Sequence, residues 1–465
     1  MKKKDKYKYL LYGMTALAGG LSAAKYIGRS IINRISDKSI KTIMTDEYGE
    51  NLWEFVSAGS RIGLQNIMEL NLRSESGQII ERPLGSPKKY PNVQSLLFPF
   101  AQIDTMPVPG DTPIDTATII GKKAKKPLYL KTPLIIAGMA YGFALSEQFR
   151  LALAKGSSLA GIAFNSGQSG FLPKERQLAD KIIQQYTRGH WGKEPGTLSQ
   201  ADGIELHFGQ GGVGGLPMVI DPNIVSKLMR QQFEVKKGEK VIYHSRIPGI
   251  NNPKDLRRKV RELRSITDGI PIGAKIGAAD RIEKDLYWIL EAEFDFVNIC
   301  GNEAGSKGVP PVFQDDFGLP TLYAISRAIN YLEKENARKE IDVILAGKLI
   351  TPGDFLKAIA LGADAVCIGT GALFATAHTE VLKSLPFEPP TQIAWMAGKQ
   401  AARFDIEKGA NNLAKYINSC TEEMKMALTV MGKTSLQQLS KNDLVAVDST
   451  VAQITGIRLA NIPPD

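Results

Sequence analysis

Met139, Asn165, Gln210, Lys275, Glu303, Gly347, Lys348, Gly369 and Thr370 each stand in or just past a short apolar run. Together they offer two lysines, two side-chain amides, one carboxylate and bare glycine backbone. No nucleophile–base pair stands out among them, and no carboxylate cluster suits a divalent metal. His190, His207, His244 and His378 form no HxxxH or HExxH pair, and Cys300, Cys367 and Cys420 are too far apart for a metal motif or a disulfide framework. Such a set is better at binding than at acid–base work. Glycine N–H groups hold phosphate because no Cβ blocks close approach. A flavin ring calls for the rest: amides at its pyrimidine edge and a cation near N1, where reduction places negative charge. Lys275 is the best such cation; a lysine plugging a core or paired with a carboxylate is its structural alternative. Asn165 and Gln210 equally suit loop capping.

The elements that must position these residues alternate strand and helix. Asp342 to Leu373 reads strand, Gly347, helix, strand, Gly369, with Pro352 and Asp354 opening the helix. In a (β/α)8 barrel the loops after the last two strands hold a phosphate; an ordinary pair of βα turns is the alternative. Upstream, strands are expected at Leu134 to Ala137, Gly161 to Phe164, Gly203 to Phe208, Val241 to His244, Ile272 to Ile276 and Phe294 to Ile299. With Val343 to Leu345 and Ala365 to Ile368 they make eight, which predicts an α/β chain built as a (β/α)8 TIM barrel. An open doubly wound sheet is the rival, but no GxGxxG follows the first strand. Ser146 is expected to cap the first helix, and Pro253 to open one that runs to about Ile266.

The net charge of +10 is concentrated in the tail: residues 1–44 hold ten Lys and Arg against two Asp. The remainder is nearly neutral, so a nucleic-acid face is not expected. Tyr9 to Ala24 is sixteen residues without a charge, against the ~20 that a spanning helix needs. A single membrane helix over about 9–28 is favoured over a signal peptide or a surface-lying helix. The expected location is therefore the cytoplasmic face of a membrane, or the cytoplasm, and the sparse cysteines fit a reducing compartment. The domain reading is a basic tail (1–44), a Pro-rich lead-in segment (45–127) and a barrel with a C-terminal helical extension (128–465).

PLIIAGMAYG, FNSGQSG, ELHFGQG, GAKIG, ICGNEAGSKG, VILAGK and IGTGAL occur in that order, followed by NSCTEEMK and GKTSLQQL. From about Leu84 onward this order resembles the FMN-binding barrel domain of glutamate synthase, and its stand-alone relatives in particular. The resemblance implies FMN, with its phosphate on Gly347, Gly369 and Thr370. The ring would lie over Gly138, Met139 and Ala140, with Asn165, Gln210 and Lys275 as polar contacts and Lys275, Gln210 and Glu303 as the catalytic set. The reaction implied is reduction of 2-iminoglutarate, formed from 2-oxoglutarate and ammonia, to L-glutamate. Electrons would come from NAD(P)H or a redox partner protein. Three departures stand out. The family's cysteine triplet is missing, so no iron–sulfur cluster is expected. The loop Gly209 to Gly215, GQGGVGG, is shortened and lacks the family's lysine, and Gln168 replaces an acidic residue. Two alternatives follow: a flavin dehydrogenase for another small keto or imino acid, and a membrane-tethered, non-catalytic flavoprotein partner of a redox complex.

Overall fold

The computed structural model describes residues 26–464, apart from 52, 171 and 307. Almost all of the expected membrane helix over 9–28 lies outside the described residues. Among these, no helix is long and apolar enough to cross a membrane.

The chain divides into two compact units, one ending at Ile80 and one of Glu81–Asp465. The first is helical over residues 26–45 and in the helices Trp53–Ile62 and Leu64–Ser76. Gly63, at φ +88°, separates the last two, and Gly77 ends the second by donating its N–H to the Arg73 carbonyl from a left-handed conformation.

The second unit is a closed barrel of eight parallel strands. They are β1 (Leu134–Ile136), β2 (Ala163–Asn165), β3 (Ile182–Tyr186), β4 (Gly203–His207), β5 (Ile272–Gly277), β6 (Phe296–Cys300), β7 (Asp342–Ala346) and β8 (Ala365–Ile368). Each pairs with the next, and β8 closes on β1 through Cys367 and Ile135. Chain order is thus barrel order, which sets β3 across from β7 and β4 across from β8.

Strand alternation sends one set of side chains inward and the other toward the helices. Ile135, Ala163, Ile183, Phe296, Ile344 and Ala365 fill the interior, and an antiparallel hairpin, Thr118–Ile120 with Leu128–Leu130, packs Ile120, Leu128 and Leu130 against them. Gly273 makes room for the Phe296 ring: a Cβ there would come within 2.1 Å of it. Around the barrel, Ser146 caps the helix Glu147–Ala160, accepting from the Phe149 N–H as expected. Thr351 and Asp354 form a capping box at Pro352–Ala360. The long C-terminal helix Ile406–Val430 lies against Glu147–Ala160 at backbone distance, since a Cβ on Gly156 would approach the Ala410 carbonyl to 2.9 Å.

The strand count was right, but one member was wrong. Val241 to His244 is not a barrel strand: Val241–Tyr243 pairs antiparallel with Met218–Ile220 in a hairpin inserted after β4. Its Ile242 faces solvent, which a barrel strand enclosed by helices does not allow. The missing member is β3, in the stretch read as irregular. Its sequence IIQQY breaks the apolar run with two glutamines, yet all five residues are buried. Gln185 donates to Glu205 inside the barrel, and Gln184 donates to the Gly192 carbonyl.

Candidate active site

At the C-terminal ends of the strands the loops enclose a cavity of about 180 Å³. On one side stand the loops after β7 and β8, where Gly347, Lys348, Gly369 and Thr370 line the wall. Gly347 sits at φ +149°, and a Cβ there would lie 2.0 Å from Thr321 Oγ1. This position requires glycine on both counts. The helix Thr370–Ala377 starts at the mouth, and its first-turn N–H groups have no carbonyl of their own helix to bond. Tyr416 of the C-terminal helix donates its hydroxyl to the Ile350 carbonyl and so ties down the loop after β7.

Next round the rim, Gly138, Met139 and Ala140 follow β1 and also line the cavity. A Cβ on Gly138 would strike Asn165 Oδ1 at 2.7 Å and Gly167 Cα at 2.8 Å, so the loops after β1 and β2 pack backbone to backbone. Asn165 is absent from the cavity wall. Its Oδ1 accepts from the Gly167 N–H and its Nδ2 donates to Glu205.

Glu205, which sequence reasoning passed over, is the electrostatic centre of the barrel interior. Oε1 accepts from Asn165 and Gln185 at 2.9 and 2.8 Å, and Oε2 from Asn298 at 2.8 Å. Three amides from three strands thereby fix one buried carboxylate. Its signal was a lone acidic residue inside the apolar run GIELH.

Lys275 enters the cavity from β5, 3% exposed. Among the described residues its ammonium makes no hydrogen bond or ion pair. Burial opposes its charge and the buried Glu205 carboxylate favours it, whereas Cys300, whose own pKa burial raises, is a neutral thiol; the balance lifts the Lys275 pKa above the ordinary lysine value. A buried charge with no direct partner needs an acceptor in the space it faces. Gln210 also lines the cavity, its Nε2 3.4 Å from Ser306 Oγ. Glu303 does not. Its carboxylate accepts from the Thr321 N–H at 3.0 Å, capping the helix Thr321–Lys334.

Arg188, on the loop after β3, is a cavity-lining residue that sequence reasoning missed, because β3 itself was missed. It is 1% exposed. Nη1 and Nη2 reach the Ser245 and Leu216 carbonyls at 3.2 and 3.4 Å, while Nε has no partner. The guanidinium lies 4.6 Å from the Tyr243 ring centroid. Such a contact contributes about 2 kcal/mol when desolvated, against several kcal/mol to bury a charge. Tyr243, from the inserted hairpin, shares a 2.6 Å hydrogen bond with His207 Nδ1. Burial, Lys275 and Arg188 hold the His207 pKa well below its ordinary value, so the ring is neutral. Gln210 lies near, yet His207 Nε2 has no partner at hydrogen-bond geometry.

The family model described as "Conserved region in glutamate synthase" matches residues 88–434. A glutamate synthase large subunit-like protein of Rhizobium meliloti (strain 1021) is 31% identical over 414 residues, 85% of this chain and 93% of its own length. The archaeal glutamate synthase [NADPH] of Methanocaldococcus jannaschii is 32% identical over 334 residues, 70% of this chain and 65% of its own. Among solved structures, a flavocytochrome b2 variant aligns over 80% of each chain at 16% identity with a TM-score of 0.49.

Proposed function

Since the chain belongs to the glutamate synthase family, we propose that it is an FMN-dependent oxidoreductase that reduces 2-iminoglutarate to L-glutamate. The observation that carries the proposal is Lys275: a buried, unpartnered ammonium facing a cavity whose far wall is bare glycine backbone. That donor set fits FMN. Gly347, Gly369 and Thr370 would take the phosphate, Gly138 to Ala140 would support the ring, and Lys275 would stand at its N1 edge. FMN, when bound, supplies hydride transfer.

This chain's residues do the rest. Lys275 provides a fixed positive charge where electron density gathers. Glu205, locked by Asn165, Gln185 and Asn298, holds that charge in place without neutralising it in a direct pair. Gln210 and Ser306 offer polar contacts at the mouth. Neutral His207 adds no second cation beneath it. An NADPH-type donor, as in the name of the M. jannaschii relative, or a redox partner protein would supply the electrons.

One observation favours a second reading, another small keto or imino acid. In the lysine-free loop after β4, a Cβ on Gly212 would lie 2.1 Å from the Phe313 carbonyl. Val213 lines the cavity beside it. The test starts with the visible spectrum of the purified protein and identification of the extracted cofactor. Anaerobically reduced protein is then mixed with 2-oxoglutarate and ammonium, with L-glutamate assayed. Reoxidation with stoichiometric glutamate is expected. A colourless protein that does not take up FMN would end the flavin mechanism; reoxidation by a different keto acid alone would support the second reading.

A further inference from the structure

We infer that Arg188 selects the substrate, binding its carboxylate on the side of the mouth across from the phosphate loops. The inference rests on the reading above, that a keto or imino acid is reduced here. Its ground is a charge without a protein counterpart. Among the described residues Arg188 forms no ion pair with a carboxylate, Nε has no acceptor, and its neutral partners are the Ser245 and Leu216 carbonyls, through two long bonds, and the nearby Tyr243 hydroxyl. Those two bonds tie the Ser245 and Leu216 segments together, which explains a donor at this position but not a buried full charge. The Tyr243 ring beneath it offsets part of the desolvation cost, and the residue lines the cavity wall.

The seat is built for a guanidinium. Bare backbone at Gly215 admits one of its acceptors: a Cβ there would be 2.7 Å from the Ser245 carbonyl, which Nη1 bonds. The loop after β4 contains no lysine, and so the neighbouring β3 loop brings the cation to this rim. Arg188 follows β3, the strand across from β7. It therefore stands apart from Gly347 and serves a different anion. A planar guanidinium whose two Nη groups each retain an N–H beyond their carbonyl bonds suits a carboxylate, which it can hold through two parallel bonds.

The test is calorimetric titration of the full-length protein with 2-oxoglutarate and pyruvate, each against its methyl ester, for the wild type, R188M and R188K. The wild type is expected to bind at least one acid ~100-fold more tightly than its ester, the scale of a charge-assisted hydrogen bond in a dry site. R188M should lose that preference while binding the ester unchanged. R188K, which keeps the charge but not the fork, should recover part of it and carries the test if R188M does not fold. Wild-type protein that binds acid and ester alike, or R188M that binds the acid as tightly as wild type, would overturn the inference. Failures of the two readings separate cleanly. Arg188-dependent binding of an acid that is never converted to its amino acid upholds the anchor and sinks the proposed reaction. Undiminished glutamate formation by R188M upholds the reaction and sinks the anchor.

Discussion

The loops after β7 and β8 work through backbone, whereas those facing them across the mouth, after β3 and β4, work through side chains. On the first side, Gly347 stands where a Cβ would strike Thr321, Gly369 leaves bare backbone at the cavity wall, and Tyr416 clamps the loop from behind. On the second, Arg188, Tyr243 and His207 form a connected polar path held by an inserted hairpin. Backbone can recognise a group common to many ligands, such as phosphate. Side chains can be exchanged one at a time, and they suit the part of the ligand that differs between relatives.

This contrast can be broken at several points. Gly347→Ala should have the largest effect, since its Cβ would lie 2.0 Å from Thr321 Oγ1 at a φ of +149°. Flavin should be absent after gel filtration; full retention would mean that the backbone side is not a tight cradle. Glu205→Gln comes next. Whichever oxygen becomes NH2 faces an amide that already donates, so stability should fall by roughly 3 kcal/mol in chemical denaturation. An unchanged midpoint would remove Glu205 from its central place.

His207→Gln tests the side-chain path through pH. The folded ring has a depressed pKa, so the unfolded chain takes up the proton that the folded protein refuses. Wild-type stability should therefore be lost as pH falls below the unfolded imidazole value of about 6.5, by up to ~1.4 kcal/mol per unit from this residue. The variant should show a shallower acid limb in melting temperature against pH; identical limbs would show that His207 is protonated without penalty. Glu303→Ala should have the smallest effect, about 1 kcal/mol for a lost helix cap. A hundredfold fall in turnover with normal melting would instead return Glu303 to the catalytic set.

The same contrast governs what could be read from sequence. On the backbone side the glycines sit at the ends of apolar runs, so β7, β8, Gly347 and Gly369 were visible, as was Lys275, a lone cation inside GAKIG. The side-chain side defeats periodicity. The barrel interior at this level is polar, which accounts for Gln185, while Gln184 on the other face bonds the Gly192 carbonyl; together they disguised β3 and with it Arg188. VIY reads as a good strand, and it is one, but nothing local says that its partner is Met218–Ile220 rather than β5. Asn165 and Glu303 were noticed for their chemistry, yet their hydrogen bonds go to Glu205 and to Thr321. What a polar residue bonds to is a property of the closed barrel, settled by strands distant in the chain.

The tie between Tyr416 and the Ile350 carbonyl also has a meaning in time. Chains leave the ribosome from the N-terminus, and domains begin to fold as they emerge. All eight strands precede residue 369, but the clamp on the loop after β7 arrives nearly fifty residues later. A nascent chain can therefore close its barrel before the loop proposed to hold the cofactor is fastened. Loading of the cofactor would then be a late step in biosynthesis, held back until the C-terminal helix has docked.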